Sequence, residues 1–278
     1  MVRMGTVWDR AVEVLRGRAN IMVPIAALTI FLPTVVSNAV NAYGQPAPGA
    51  APNMAASAAI GIVSLLVLIA GVWGQLALLA VATDPATTRE DAGRQATRRI
   101  GPALGVVLVL LAIVALLLLP AVVPLVQAGL DMNNPQSMQS LPPGVTGFAG
   151  LYFLVFAIAA VVIGARLILI NPVILNERRG LGAIRRSWSL TRGLTWRIIG
   201  VMLLFGVLVL IATFAVQAVA TLILRLILGA DSLPTVLFVA ASLGAIVSTA
   251  LTVVANAFTA QLYVAVAGED RRLADTFS

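Results

Sequence analysis

The chain has 278 residues, 60% of them apolar and only 10% charged, and its mean hydropathy is +1.02. Soluble domains hold about 45–50% apolar and about 25% charged residues, so a soluble globular protein, a disordered chain and a fibrous one are all excluded. The net charge of +7 rests on 18 basic residues, every one an Arg. Arg residues set beside apolar spans suit an anionic leaflet better than nucleic acid.

Cys and His are absent. A disulfide framework, a Cys/His zinc site, haem ligation by either residue, a Cys nucleophile and a Ser-His-Asp triad therefore fall away. The absence of Lys removes the P-loop lysine and Schiff-base chemistry. No carboxylate pair stands at acid–base spacing. No catalytic residue, metal or other cofactor is expected.

In chain order, Met4, Trp8, Ala11, Val12 and Leu15 share one helical face, opposite Asp9, Arg10, Glu13 and Arg16. That pattern predicts a short helix lying at the membrane interface. The acids Asp9 and Glu13 do not fit the basic start of a cleavable signal peptide. A spanning helix needs about 20 mainly apolar residues. The first such stretch, 20–42, is interrupted by Pro24, Pro33, Ser37, Asn38 and Asn41, and a re-entrant first stretch with an odd span count is the alternative.

A Pro/Gly-rich loop with Pro46, Pro48, Gly49 and Pro52 leads to the second stretch, 57–82, where Gly61, Gly71 and Gly74 predict close helix contact. Residues 87–100 repeat the amphipathic pattern weakly, and 101–127 is an uninterrupted apolar run. The fourth stretch, 148–172, contains Arg166 and ends at a helix break, Asn171-Pro172. A second interfacial helix is predicted from Leu181, Ile184, Trp188 and Thr191. The last two stretches are 198–228, with Arg225 snorkelling near its outer end, and 235–266.

The Arg residues sort cleanly between these stretches. Arg3, Arg10, Arg16 and Arg18 precede the first, and Arg89, Arg94, Arg98 and Arg99 lie between the second and third. Arg178, Arg179, Arg185, Arg186, Arg192 and Arg197 lie between the fourth and fifth, and Arg271 and Arg272 follow the sixth. The three intervening loops carry no Arg, only Asp131 and Asp231. The positive-inside rule then puts both termini in the cytoplasm of a bacterial inner membrane, with six spans in an all-α bundle. Residues 1–278 read as a single integral membrane domain.

The order of basic amphipathic segment, span, neutral loop and span recurs three times, over 1–84, 85–177 and 178–270. Gln75-Leu76, Arg166-Leu167 and Gln261-Leu262 recur near the inner ends of the even spans, each followed by an acid, Asp84, Glu177 or Glu269. Three such helix pairs predict a pseudo-threefold bundle with Gln75, Arg166 and Gln261 at one depth. Polar groups in hydrocarbon face the bundle interior or a cavity, so these three are the intramembrane candidates. Arg166 can also be read as snorkelling. Glu177 reads as neutralising Arg178 or capping the next helix, and Trp73, Trp188 and Trp196 as interfacial anchors.

Residues 171–200, NPVILNERRGLGAIRRSWSLTRGLTWRIIG, resemble the six-span membrane-domain family of glycerophosphoryl diester phosphodiesterases through Pro172, Glu177, Gly180, Ala183, Ser187, Trp188, Arg192, Gly193, Trp196 and Gly200. The resemblance implies the membrane moiety, with a role near lipids, and carries no diesterase residue with it.

The reading is a non-enzymatic accessory or scaffold protein. Its cytoplasmic Arg-rich collar (Arg178, Arg179, Arg185, Arg186, Trp188, Arg192 and Arg197) engages anionic lipid or a phosphate-bearing ligand. No protein partner is identified. A transporter or channel for a small or amphiphilic solute, with Gln75, Arg166 and Gln261 lining its path, is the alternative.

Overall fold

The computed structural model describes residues 3–44, 54–131, 135–229 and 232–277. The loop residues Pro46, Pro48, Gly49 and Pro52, together with Asp231 and the side chains of Arg271 and Arg272, lie outside the described set. Among the described residues there are nine α-helices and no strand. They are α1 (Met4–Ala26), α2 (Leu32–Tyr43), α3 (Met54–Thr83), α4 (Arg89–Gln127), α5 (Pro143–Leu167), α6 (Ile170–Asn176), α7 (Gly182–Leu190), α8 (Thr195–Leu228) and α9 (Leu233–Phe277). Six helical stretches are long and apolar enough to cross a membrane, from Met4–Tyr43 to Leu233–Asp270. The protein is a multi-pass, all-α membrane protein, and the odd-count alternative is set aside.

Two of the predicted interfacial helices are not separate elements. Residues 4–26 and 89–127 are continuous helices that run from the Arg-bearing end into the apolar run. Gly17 and Pro102 lie inside these helices and do not stop them. Only α7 stands apart. Ahead of it α6 closes at Glu177, and Arg178 takes φ +57.

The first span is one helix interrupted by a π turn, Ala27–Phe31. Pro33 has no N–H to offer the preceding turn, so the ladder there must re-register. The hydroxyls of Thr29 and Thr34 donate to the carbonyls of Ile25 and Ile30, at 2.8 and 2.6 Å.

α3 and α9 are the central helices. Each touches the other and α6, α3 also packs on α1, α2 and α4, and α9 also packs on α1, α2 and α8. Among the other neighbours, α4 with α5 and α5 with α8 close the ring. The large buried core lies at the Arg-bearing end, where Leu76–Ala82 of α3 meet Met22, Ile174 and Leu262. Among the described residues, the opposite end has a small cluster of Leu125, Leu141 and Ala149. Along α4, α5 and α8, residues such as Leu116, Leu154, Leu204 and Leu226 are exposed, as lipid-facing positions are. Of the three glycines predicted to permit close contact only Gly74 does so. A Cβ there would lie 2.7 Å from the Thr29 Cβ, whereas at Gly61 and Gly71 it would meet nothing within 4 Å.

Candidate functional site: the Arg-rich end of the bundle

Gln75, Arg166 and Gln261 do not meet. Gln75 accepts a hydrogen bond from the Asn171 amide at 3.1 Å, joining α3 to α6. Gln261 is buried, and its amide donates to the Ala82 carbonyl at 2.7 Å. Ala82 follows Gln75 by about two helical turns, so the two glutamines lie at depths roughly 10 Å apart. The expected common depth is corrected: a shared Gln-Leu spacing does not set depth where each helix ends and packs differently.

Arg166 points to α7 instead. Its guanidinium lies over the Trp188 ring, 5.2 Å from the centroid, and one nitrogen stands 3.5 Å from the Trp188 carbonyl. A cation over an exposed indole contributes about 0.5–1 kcal/mol. The geometry has a local cause. α5 ends at Leu167 and Pro172 lacks the N–H that would continue the ladder, so the chain turns before α6. The Arg166 carbonyl then accepts from the hydroxyls of Ser187, at 2.8 Å, and Thr191, at 3.2 Å. Ser187 and Thr191 are fully buried by this docking.

Glu177 pairs with Arg186 of α7 and with Arg179 of the turn before it. It accepts from Arg186 Nε at 3.0 Å and forms an ion pair with Arg179, whose Nε stands 3.1 Å away, and the Tyr263 hydroxyl lies at 3.5 Å. The second arm of Arg186 reaches Asp270 of α9 at 2.8 Å. One guanidinium therefore bridges α6, α7 and α9. Burial pulls the Arg186 pKa down, but the hydrogen bonds and charges of Glu177 and Asp270 outweigh it and hold it above the ordinary arginine value. Arg178, which Glu177 was expected to neutralise, has a left-handed backbone and no ion-pair partner among the described residues.

Arg18 is the member of this end that sequence reasoning counted only as charge. Its guanidinium donates to the carbonyls of Val81, Asp84, Pro85 and Thr87, closing the C-terminal end of α3. The Val81 carbonyl is one of the last four of α3, which have no helical partner and carry the negative end of the helix dipole, and the other three lie in the turn after it. An Arg placed opposite a helix end 60 residues away has no sequence signature.

The rest of the predicted collar is spread over the surface. Arg178, Arg185 and Arg192 are exposed and have no ion-pair partner among the described residues, and Arg197 is exposed beside them. Trp188 and Trp196 are exposed at the same end, Trp196 by 81%. The Trp73 indole N–H donates to Thr97 at 3.0 Å, between α3 and α4. Arg225 is exposed near the opposite end of α8, as snorkelling requires.

Two recesses open near this end. One, of about 520 Å³, has Arg10, Glu13, Arg18 and Gln261 in its walls. The other, of about 250 Å³, lies beside Arg166, with Gly193 and Trp196. No group of three or more Asp or Glu that could hold a metal occurs among the described residues.

Residues 145–272 match the family model of the membrane domain of glycerophosphoryl diester phosphodiesterase. That range contains the motif residues from Pro172 to Gly200, and the resemblance seen in them holds. No curated protein and no solved structure matches the chain.

Proposed function

From the likeness of residues 145–272 to that membrane domain, we propose that this multi-pass protein is a non-enzymatic accessory or scaffold whose Arg-rich end engages anionic phospholipid headgroups. It sits in a bacterial cytoplasmic membrane with both termini inside. The observation that carries the reading is the set of exposed, unpaired guanidiniums of Arg178, Arg185 and Arg192, beside the exposed indoles of Trp188 and Trp196. Exposed cations at the surface of an anionic leaflet are each worth about 1 kcal/mol. Indoles favour the same headgroup depth.

The transporter alternative has less support, because Gln75, Arg166 and Gln261 each have a different local partner among the described residues.

The test is the lipid composition around the protein in nanodiscs made from equal phosphatidylglycerol and phosphatidylcholine. Wild type is expected to enrich phosphatidylglycerol, less so at high salt. The triple variant R178Q/R185Q/R192Q is expected to lose the enrichment. Equal enrichment in both overturns the reading.

A further inference from the structure

The recess beside Arg166 is built differently from the exposed collar. Val162 and Arg166 of α5 form one wall, and Thr195, Trp196 and Ile199 of α8 form the other, with Gly193 at the turn between α7 and α8. The polar members lie together. Val162 is one turn from Arg166 toward the membrane interior, and Ile199 is one turn from Thr195 in the same direction. The recess therefore has a charged mouth and an apolar throat. Gly193 holds φ +83, and a Cβ there would meet nothing within 4 Å, so the turn leaves the mouth open.

Arg166 brings a positive charge into this partly buried place, and no carboxylate lies within ion-pair distance of it among the described residues. The nearby acids Glu177 and Asp270 are engaged by Arg179 and Arg186. Its stacking on Trp188 orients the guanidinium without neutralising it. A partly buried charge without a counter-ion favours an anionic partner, and an anion that arrives from the membrane side supplies one.

We propose that this recess holds one anionic phospholipid, with its phosphodiester on the Arg166 guanidinium and its glycerol stem between Val162 and Ile199. A planar guanidinium can grip two phosphate oxygens at once. Trp196 stands beside the mouth at headgroup depth. The apolar throat decides for a lipid over free phosphate, which gains nothing from Val162 and Ile199. The ligand class rests on the collar reading above, but the site is a distinct one.

Native mass spectrometry of the protein purified with phosphatidylglycerol, with phosphatidylcholine or with inorganic phosphate tests the proposal. Wild type is expected to keep one phosphatidylglycerol through delipidation. Arg166→Gln and Val162→Trp, the second filling the throat while leaving the charge, are each expected to lower its occupancy about tenfold. The collar variant R178Q/R185Q/R192Q is expected to keep it.

Equal retention in Arg166→Gln overturns the site even if the collar variant loses its general enrichment. Loss in Arg166→Gln and Val162→Trp with no collar effect supports the site and overturns the collar reading alone. Displacement of the lipid by inorganic phosphate at equal concentration also overturns the proposal. Thermal melting of each variant reports folding, and if Arg166→Gln does not fold, Val162→Trp decides.

Discussion

The guanidinium of Arg18 donates to the carbonyl of Val81 at 2.8 Å, tying α1 to the end of α3 where the core is densest. Its other donors reach the carbonyls of Asp84, Pro85 and Thr87, so one side chain satisfies a helix end and the turn after it. Hydrogen bonds to a charged group contribute about 1.5–3 kcal/mol, reduced here by partial exposure. Arg18→Gln is therefore expected to cost about 2 kcal/mol, read as a lower melting temperature in micelles. Arg16→Gln, two residues away and exposed, is the control and should change little. Equal melting of the two variants would remove the clamp.

Glu177 is expected to matter more than any single Arg of α7, because two guanidiniums and the Tyr263 hydroxyl converge on it. Glu177→Gln leaves Arg186 with Asp270 alone and should loosen α7 from α9. Faster hydrogen exchange in α7 than in α3 would report this. The pH sign is clear for Arg186. A cation whose folded pKa is raised contributes fully below its unfolded pKa and loses that contribution only as pH rises through the folded one. Both lie far above neutrality, so the Arg186 contribution should be flat from neutral to mildly alkaline pH. A drop in that range would assign the network to another group.

Gly74 and Gly71 separate packing from propensity. At Gly74 an added Cβ collides with Thr29 on the π turn, and at Gly71 it meets nothing within 4 Å. Overpacking costs about 1–3 kcal/mol, and Gly to Ala within a helix returns about 1 kcal/mol. Gly74→Ala should melt earlier than wild type, and Gly71→Ala at the same temperature or later. The reverse order would mean that α3 does not approach the first span this closely.

Arg178 holds φ +57, a left-handed conformation that a side chain pays about 1 kcal/mol or more to adopt. Arg178→Gly is expected to raise the melting temperature slightly while weakening phosphatidylglycerol enrichment. A stability loss would show that the Arg178 side chain has a structural role.

Orientation can be read with single cysteines, since the chain has none of its own. A membrane-impermeant maleimide should label Ser140→Cys on intact cells. It should reach Gln95→Cys and Ser189→Cys only after the membrane is opened. The opposite pattern would invert the proposed topology.

Much of this protein was determined by sequence alone, and for a direct reason. Hydrocarbon forces long apolar helices whatever their neighbours, so span number and helical class follow from local runs of residues, as do the Arg-bearing loops from charge bookkeeping across the membrane. The break expected at Asn171-Pro172 falls a turn earlier, at Ile168-Leu169, with both residues inside α6; it is still a local effect, because Pro172 has no N–H for the Ile168 carbonyl. Tertiary structure decided the partners. That Arg18 closes α3, that Arg186 joins Glu177 to Asp270, and that Gln75 meets Asn171 rather than Gln261 are contacts between helices distant in sequence. They depend on where each helix ends and how closely it packs. Spacing along one helix says nothing about that, because depth is set by the neighbours against which the core is buried.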